Sequence, residues 1–174
     1  MIEAIVISDL HLGEDNSALT AKDNKCFHLE ELIKEWKSVS EGNSVEKLII
    51  IGDLLDLSLA PYSEAIKAAR YLFAKIEESK LFNKIIYIPG NHDHHIWQHI
   101  LEKKYIFDKI EFGSIEKRYP RTKALMVEEK ENEYERDSYF YETFLNSLIP
   151  GNNKILVTYP SLLFKTKTSG SPII

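Results

Sequence analysis

Three short apolar runs in this chain each end in a group of side chains of the kind that bind metal ions. The runs occupy residues 4–7, 48–51 and 85–88, and the groups that follow are Asp-Leu-His at 9–11, Gly-Asp-Leu-Leu-Asp at 52–56 and Gly-Asn-His-Asp at 90–93. None of the runs alternates apolar with polar residues, which predicts parallel strands buried on both faces. The carboxyl ends of such strands form the usual binding crevice of an open α/β sheet, so we expect one site there.

The segments between the runs carry apolar residues at helical spacing. The first is predicted to end at residues 41–43, and its apolar residues are Phe27, Leu29, Leu32, Ile33 and Trp36. The second is predicted to begin at residues 63–64, and its apolar face is Ala65, Ala68, Ala69, Leu72, Phe73 and Ile76. A third helix is predicted beyond residue 91 from Ile96, Trp97, Ile100 and Leu101. Two successive β-α-β units predict an α/β fold with parallel pairing and right-handed crossovers.

The remainder of the chain has weaker patterns. Residues 106–136 are highly charged, which favours a solvent-exposed loop over a binding tail. An apolar stripe that predicts a core helix follows, formed by Tyr139, Phe140, Phe144, Leu145 and Leu148. Further strands are predicted at 154–158 and 162–164, with a turn at 168–172 and the first residues of another strand at 172–174.

Composition limits the class of protein. We expect one domain over residues 1–174, because this length suffices for a single core. Acidic residues outnumber basic ones 27 to 22, which disfavours a nucleic-acid partner. The single cysteine, Cys26, cannot form an internal disulfide, and no leader or membrane-length apolar stretch is found, so we expect a cytoplasmic protein without a membrane partner. The sequence gives no indication of an oligomeric state.

The polar groups suit transition metals. Mixed oxygen and imidazole ligands favour Mn²⁺, Fe, Zn²⁺ or Ni²⁺ over Mg²⁺ and Ca²⁺. Asp9 and His11 are two residues apart, so in an extended strand end both side chains would point to one side and meet one ion. Asp53 is the candidate shared ligand of two ions, and Asn91 offers an amide oxygen to the second.

Two such ions could clamp a phosphate and generate hydroxide, so no protein nucleophile is needed. His92 follows Asn91 and is the candidate for a general acid or for a hydrogen bond to the phosphoryl oxygen. Asp56 is expected to accept a hydrogen bond from the other ring nitrogen of His92 and so favour its protonated form. Asp93 is expected to cap the following helix. The other histidines are expected on helix surfaces: His28, His94, His95 and His99.

These motifs resemble those of the calcineurin-like metallophosphoesterases: Asp-x-His, Gly-Asp-x-x-Asp and Gly-Asn-His-Asp/Glu, followed by a later single histidine and a Gly-His-x-His. The specific part of the resemblance covers residues 2–97. It implies a four-layer α/β/β/α sandwich, two divalent ions and hydrolysis of phosphomonoesters or phosphodiesters by metal-activated hydroxide. It also implies metal ligands at Asp9, His11, Asp53 and Asn91 and a catalytic pair at His92 and Asp56.

The sequence departs from the family pattern after its third motif. No histidine follows His99, so both later histidine motifs are missing. We therefore expect a C-terminally incomplete chain that lacks the last strands of the fold, binds one ion or none, and has little activity. Leu57 stands where protein Ser/Thr phosphatases have an arginine, which disfavours a protein phosphatase. His92 stands where UDP-diacylglucosamine hydrolases have an arginine, which disfavours that activity as well.

Two alternatives to a phosphoesterase stay open. The first is a catalytically incomplete metal-binding or scaffold protein that keeps the front of the fold. The second is a DNA nuclease, which the acidic balance disfavours and which would show itself by salt-dependent DNA binding.

Overall fold

The structure is a computed structural model. It describes residues 2–15, 17, 19, 27–102, 106, 107, 110, 113, 125–127, 144–149, 155–157, 162–165 and 172–173. Its strands are β1 (Ala4–Ser8), β2 (Val45–Ile51), β3 (Phe82–Ile88), β4 (Leu125–Val127), β5 (Ile155–Val157), β6 (Leu162–Lys165) and β7 (Pro172–Ile173). Its α-helices are α1 (Phe27–Val39), α2 (Tyr62–Ser79) and α3 (His95–Glu102), and a 3₁₀ helix spans Phe144–Leu148.

Four strands form a parallel sheet in the order β1-β2-β3-β5. The register pairs Ile7 with Ile50 and Ile50 with Tyr87, so the first three strands end side by side. The predicted α/β class, the parallel pairing and the three helices are confirmed. A second sheet, in the order β4-β6-β7, has one parallel and one antiparallel pair.

Burial differs between the strands of the parallel sheet. The apolar segments of β2 and β3 are almost fully buried from Leu48 to Ile50 and from Ile85 to Ile88, but Ile51 at the end of the second run is 45% exposed, against the prediction for that residue. The prediction that the first run is buried on both faces is wrong, because Val6 in β1 is 55% exposed. β1 is an edge strand of the described sheet, so only one neighbouring strand covers it.

Helix α2 packs on the sheet through the six residues that its apolar spacing predicts, and each of them is buried. Its start also fixes the loop after β1. A Cβ atom on Gly13, which has a φ of +110°, would lie 2.8 Å from the Cα of Ala65. This loop therefore lies directly against the helix, and only glycine fits at that point.

The second half of the chain corrects two predictions. Strand β4 lies within the stretch predicted as an exposed loop. The predicted core helix is a short 3₁₀ helix in the described part, with Leu145 and Leu148 buried. Tyr139 and Phe140 lie outside the described residues, as do Cys26 and the turn at residues 168–171. Strands β5, β6 and β7 confirm the predicted strands.

No helix within the described ranges combines the length and the apolar character that a membrane crossing requires.

Candidate metal centre

The loops that follow β1 and β2 continue to pair beyond the ends of the strands. The amide of His11 donates to the carbonyl of Asp53 at 2.8 Å, and the amide of Leu12 donates to the carbonyl of Leu54 at 3.0 Å. The amide of Asp56 donates back to the carbonyl of Leu12 at 3.1 Å. These three hydrogen bonds fix the register of the two loops, and they place His11 beside Asp53 and Asp56.

Three of the predicted ligands have left-handed backbone conformations. The φ angles are +53° at Asp9, +44° at His11 and +42° at Asp53. The prediction that Asp9 and His11 converge from an extended strand end is therefore wrong in its geometry, because the chain turns at each of them. Such a conformation costs roughly 1–3 kcal/mol per non-glycine residue and is concentrated at functional sites.

The carboxylate of Asp93 joins the loop after β2 to the turn after β3. Its Oδ2 accepts hydrogen bonds from the amides of Leu54 at 2.8 Å and Leu55 at 3.2 Å, and also from the hydroxyl of Tyr87. Its Oδ1 accepts from the amide of Gly90 at 2.7 Å. The prediction that Asp93 caps α3 is wrong, because its side chain is fully buried and bound to these four donors.

The same two loops meet at Gly90. A Cβ atom at this position would collide with the carboxylate of Asp53 and would lie 2.5 Å from the Asp53 amide nitrogen. The amide of His92 donates to Asp53 Oδ1 at 2.9 Å. The turn after β3 therefore closes directly onto the Asp53 carboxylate, which holds His92 next to it.

The first group of converging side chains consists of Asp9, His11 and Asp53. Each offers one ligand atom, and these atoms lie within 4.8 Å of one another. His11 Nε2 is 4.0 Å from Asp53 Oδ2. Asp9 is exposed, whereas Asp53 is 8% exposed. The group therefore opens to solvent on the Asp9 side.

The second group consists of His11, Asp56 and His92. Asp56 Oδ2 lies 3.5 Å from His11 Nδ1 and 3.2 Å from His92 Nδ1. The two imidazole rings meet edge to face, with centroids 4.8 Å apart and an interplanar angle of 84°. Asp56 Oδ1 accepts hydrogen bonds from the amides of Ser58 at 3.0 Å and Leu59 at 2.8 Å, which fix the carboxylate in place.

The charges of the second group depend on one another. Burial alone would raise the pKa of Asp56, but the neighbouring Glu14 carboxyl group, the Leu59 amide and His92 hold that pKa well below its usual range. The adjacent Asp56 carboxylate raises the pKa of His92 above its usual value. The same carboxylate raises the pKa of Glu14, since two neighbouring carboxyl groups resist double ionisation. The arrangement favours an ionised Asp56 beside a protonated His92.

A family model described as calcineurin-like phosphoesterase matches residues 3–167. The chain belongs to this family. The resemblance inferred from the sequence is thereby confirmed, as is the α/β fold of the metallophosphoesterase type. No curated protein and no solved structure matches the chain.

Membership of the calcineurin-like phosphoesterases implies divalent metal ions and phosphoester substrates. The described residues fit such ions by the chemistry of their donors, which are carboxylate oxygens and imidazole nitrogens and suit transition metals. Next to these donors, His11 Nδ1, Asp56 Oδ2 and His92 Nδ1 are buried and make no hydrogen bond of good geometry with any described residue.

The remaining residues singled out from the sequence are Asn91 and the four helix histidines. Asn91 is exposed in the turn before His92, and its carbonyl oxygen lies 3.2 Å from His94 Nδ1. The histidines expected on helix surfaces are all exposed: His28, His94, His95 and His99. Sequence reasoning missed Glu14, which lies outside the family motifs. The only signal available was its position three residues after His11, in a loop already predicted to carry ligands.

Proposed function

We propose that this chain is a divalent-metal-dependent hydrolase of phosphomonoesters or phosphodiesters. The observation that carries the proposal is the convergence of Asp9, His11 and Asp53 at the carboxyl ends of β1 and β2, with the His92–Asp56 pair alongside. Acidic and imidazole donors at this edge of a parallel sheet suit a metal-assisted reaction on an anionic substrate.

In this proposal Asp9, His11 and Asp53 hold one divalent ion, and Asp53 with Asn91 contributes to a second. Bound divalent ions at such sites supply Lewis acidity and a nucleophile at neutral pH. The candidate ions are those that suit mixed oxygen and nitrogen ligands: manganese, iron, zinc and nickel.

His92 is proposed to donate a proton to the leaving group or a hydrogen bond to the phosphoryl oxygen. Its side chain is 25% exposed, whereas that of Asp56 is fully buried. Asp56 holds His92 Nδ1 and thereby leaves Nε2 directed away from the carboxylate. The same contact keeps His92 protonated to higher pH, as a general acid requires.

We also propose that the dimetal site is incomplete in these 174 residues and that turnover is slow. The sequence has no histidine after His99, and Asn91 is an exposed, neutral ligand. The second ion would then bind weakly or not at all. A cytoplasmic location and one domain across residues 1–174 are further proposals; the first depends on the lone Cys26 and the second on the length of this segment.

The proposal is tested by hydrolysis of two chromogenic substrates, a phosphodiester and a phosphomonoester, at enzyme concentrations high enough to detect slow turnover. We expect hydrolysis that requires Mn²⁺, is lost with EDTA and falls by about 10²–10⁴-fold in His92→Asn. His28→Gln is the matched control, because His28 is exposed and far from the site in sequence. Hydrolysis that survives EDTA, or that is equal in wild type and His92→Asn, would refute the proposal.

A non-catalytic metal-binding protein is the second candidate, and the missing later histidines favour it. It predicts metal uptake at Asp9, His11 and Asp53 without hydrolysis of either substrate. Measuring bound metal and turnover on the same sample separates the two functions.

A further inference from the structure

Three buried polar atoms of the site have no role in holding the ions proposed above. His11 Nδ1, Asp56 Oδ2 and His92 Nδ1 are inaccessible to solvent, and none makes a hydrogen bond of good geometry within the described part of the chain. The Asp56 side chain is itself 0% exposed. An unsatisfied buried polar group costs about 1–3 kcal/mol, so three of them at one point call for a common partner.

The spacing of these atoms matches that of ligands around a single small ion. Ligands that are each 2.0–2.1 Å from a tetrahedral Zn²⁺ lie about 3.4 Å from one another. The observed separations are 3.5 Å from Asp56 Oδ2 to His11 Nδ1 and 3.2 Å from the same oxygen to His92 Nδ1. A direct hydrogen bond would be shorter for His11, since N–H···O bonds span about 2.7–3.2 Å.

We propose that His11 Nδ1, Asp56 Oδ2 and His92 Nδ1 bind a Zn²⁺ ion at a site distinct from the Asp9–His11–Asp53 group. Two imidazoles and a carboxylate are a common zinc donor set. Glu14, whose carboxyl group neighbours that of Asp56, is the candidate for a fourth ligand.

This zinc site competes with the site proposed for the phosphoesterase. A neutral imidazole has only one nitrogen lone pair available to a metal, so His11 serves the inner site through Nδ1 or the outer site through Nε2. Zinc at the inner site also withdraws His92 and Asp56 from proton transfer. If the proposed function holds, excess Zn²⁺ therefore inhibits hydrolysis in competition with Mn²⁺.

The site is tested on the full chain without substrate, after chelator treatment, by titration with Zn²⁺ and with Co²⁺ as a spectroscopic probe. Four-coordinate Co²⁺ absorbs visible light far more strongly than six-coordinate Co²⁺. We expect Asp53→Asn to keep a Co²⁺ site with this strong absorption, and Asp56→Asn to lose it with a more than roughly 100-fold drop in affinity. His92→Gln should lose the same band, and His28→Gln should match wild type.

Two results would overturn the zinc site: an unchanged Co²⁺ spectrum in a folded Asp56→Asn or His92→Gln protein, or loss of the whole spectrum in Asp53→Asn. Circular dichroism establishes which variants are folded, and two separate inner-site variants guard against misfolding of either one. Because no substrate is present, a chain without hydrolytic activity still gives a decisive answer about zinc.

Discussion

The two groups of ligands share His11 but differ in their surroundings. The outer group includes exposed Asp9, and its parts are held by backbone contacts between loops. The inner group is built around fully buried Asp56, whose pKa is held low by its hydrogen bonds. The outer group is thus open to solvent, while the inner group is shielded from it. One histidine at their junction links the two environments.

The Asp93 carboxylate joins the loops that carry both groups, so we expect Asp93→Ala to destabilise the protein more than any other substitution considered below. Removing this carboxylate leaves four donors without an acceptor, and we expect a loss of about 4 kcal/mol in the free energy of unfolding. Urea denaturation measures it. Tyr87→Phe, which removes one of the four hydrogen bonds, should cost less. Equal stability of Asp93→Ala and wild type would show that Asp93 does not hold the loops together.

Asp53→Asn separates the groups, because only the outer group contains the Asp53 carboxylate. We expect Mn²⁺ affinity to fall by more than about 100-fold, since even residues behind the ligands cost 10–100-fold when replaced. Calorimetric titration of the chelator-treated protein measures this loss. An unchanged Mn²⁺ affinity would exclude Asp53 as a ligand.

Gly90→Ala tests how closely the turn after β3 must approach Asp53. The added methyl group meets the Asp53 backbone and carboxylate, so we expect a loss of about 1–3 kcal/mol. Thermal unfolding measures this loss and compares it with that of Gly42→Ala. An added Cβ at Gly42 has no atom within 4 Å, so the cost there comes from the φ of +74° and not from a collision. A Gly90→Ala protein as stable as wild type would contradict the close contact.

Asp56→Asn changes the inner group. The carboxylate raises the pKa of His92, so its loss should return that pKa towards the ordinary value of 6.5. In wild type, the charged pair of His92 and Asp56 contributes its full stability below the pKa that His92 has in the unfolded chain. This contribution is lost as the pH rises through the higher pKa of His92 in the folded protein. The pKa of His92 is measured by NMR titration of its imidazole ring in the metal-free protein. A His92 pKa that stays the same in the variant would rule out this coupling.

The smallest effect is expected at His94, which is exposed and follows the motif directly. His94→Gln should change stability by less than about 0.5 kcal/mol and leave Mn²⁺ affinity unchanged. A clear loss of affinity measured by the same calorimetric titration would extend the outer group to the start of α3.

The fold was largely predictable because its signals are local. Uninterrupted apolar runs predicted β2 and β3, and helical spacing predicted the buried face of α2 residue by residue. The exposure of Val6 could not be predicted in the same way. An edge strand and a central strand can have equal apolar composition, and only the sheet order distinguishes them.

The sequence predicted which side chains converge better than it predicted the backbone conformations and hydrogen bonds that bring them together. Motif spacing indicated which side chains converge, but it could not indicate that Asp9 and His11 adopt left-handed conformations, because that depends on pairing with another loop. From the sequence alone, the position of Asp93 just before a helix predicted that its side chain caps that helix. Its true partners are amides some 38–39 residues away and the hydroxyl of Tyr87, which only the folded chain brings near.

If the loops after β1, β2 and β3 form one metal centre, anomalous diffraction from crystals grown with Mn²⁺ should locate it. We expect an anomalous peak within coordinating distance of the Asp9 and Asp53 carboxylates and His11 Nε2. A well-ordered structure with these three side chains apart, or with manganese only elsewhere, would refute this metal centre.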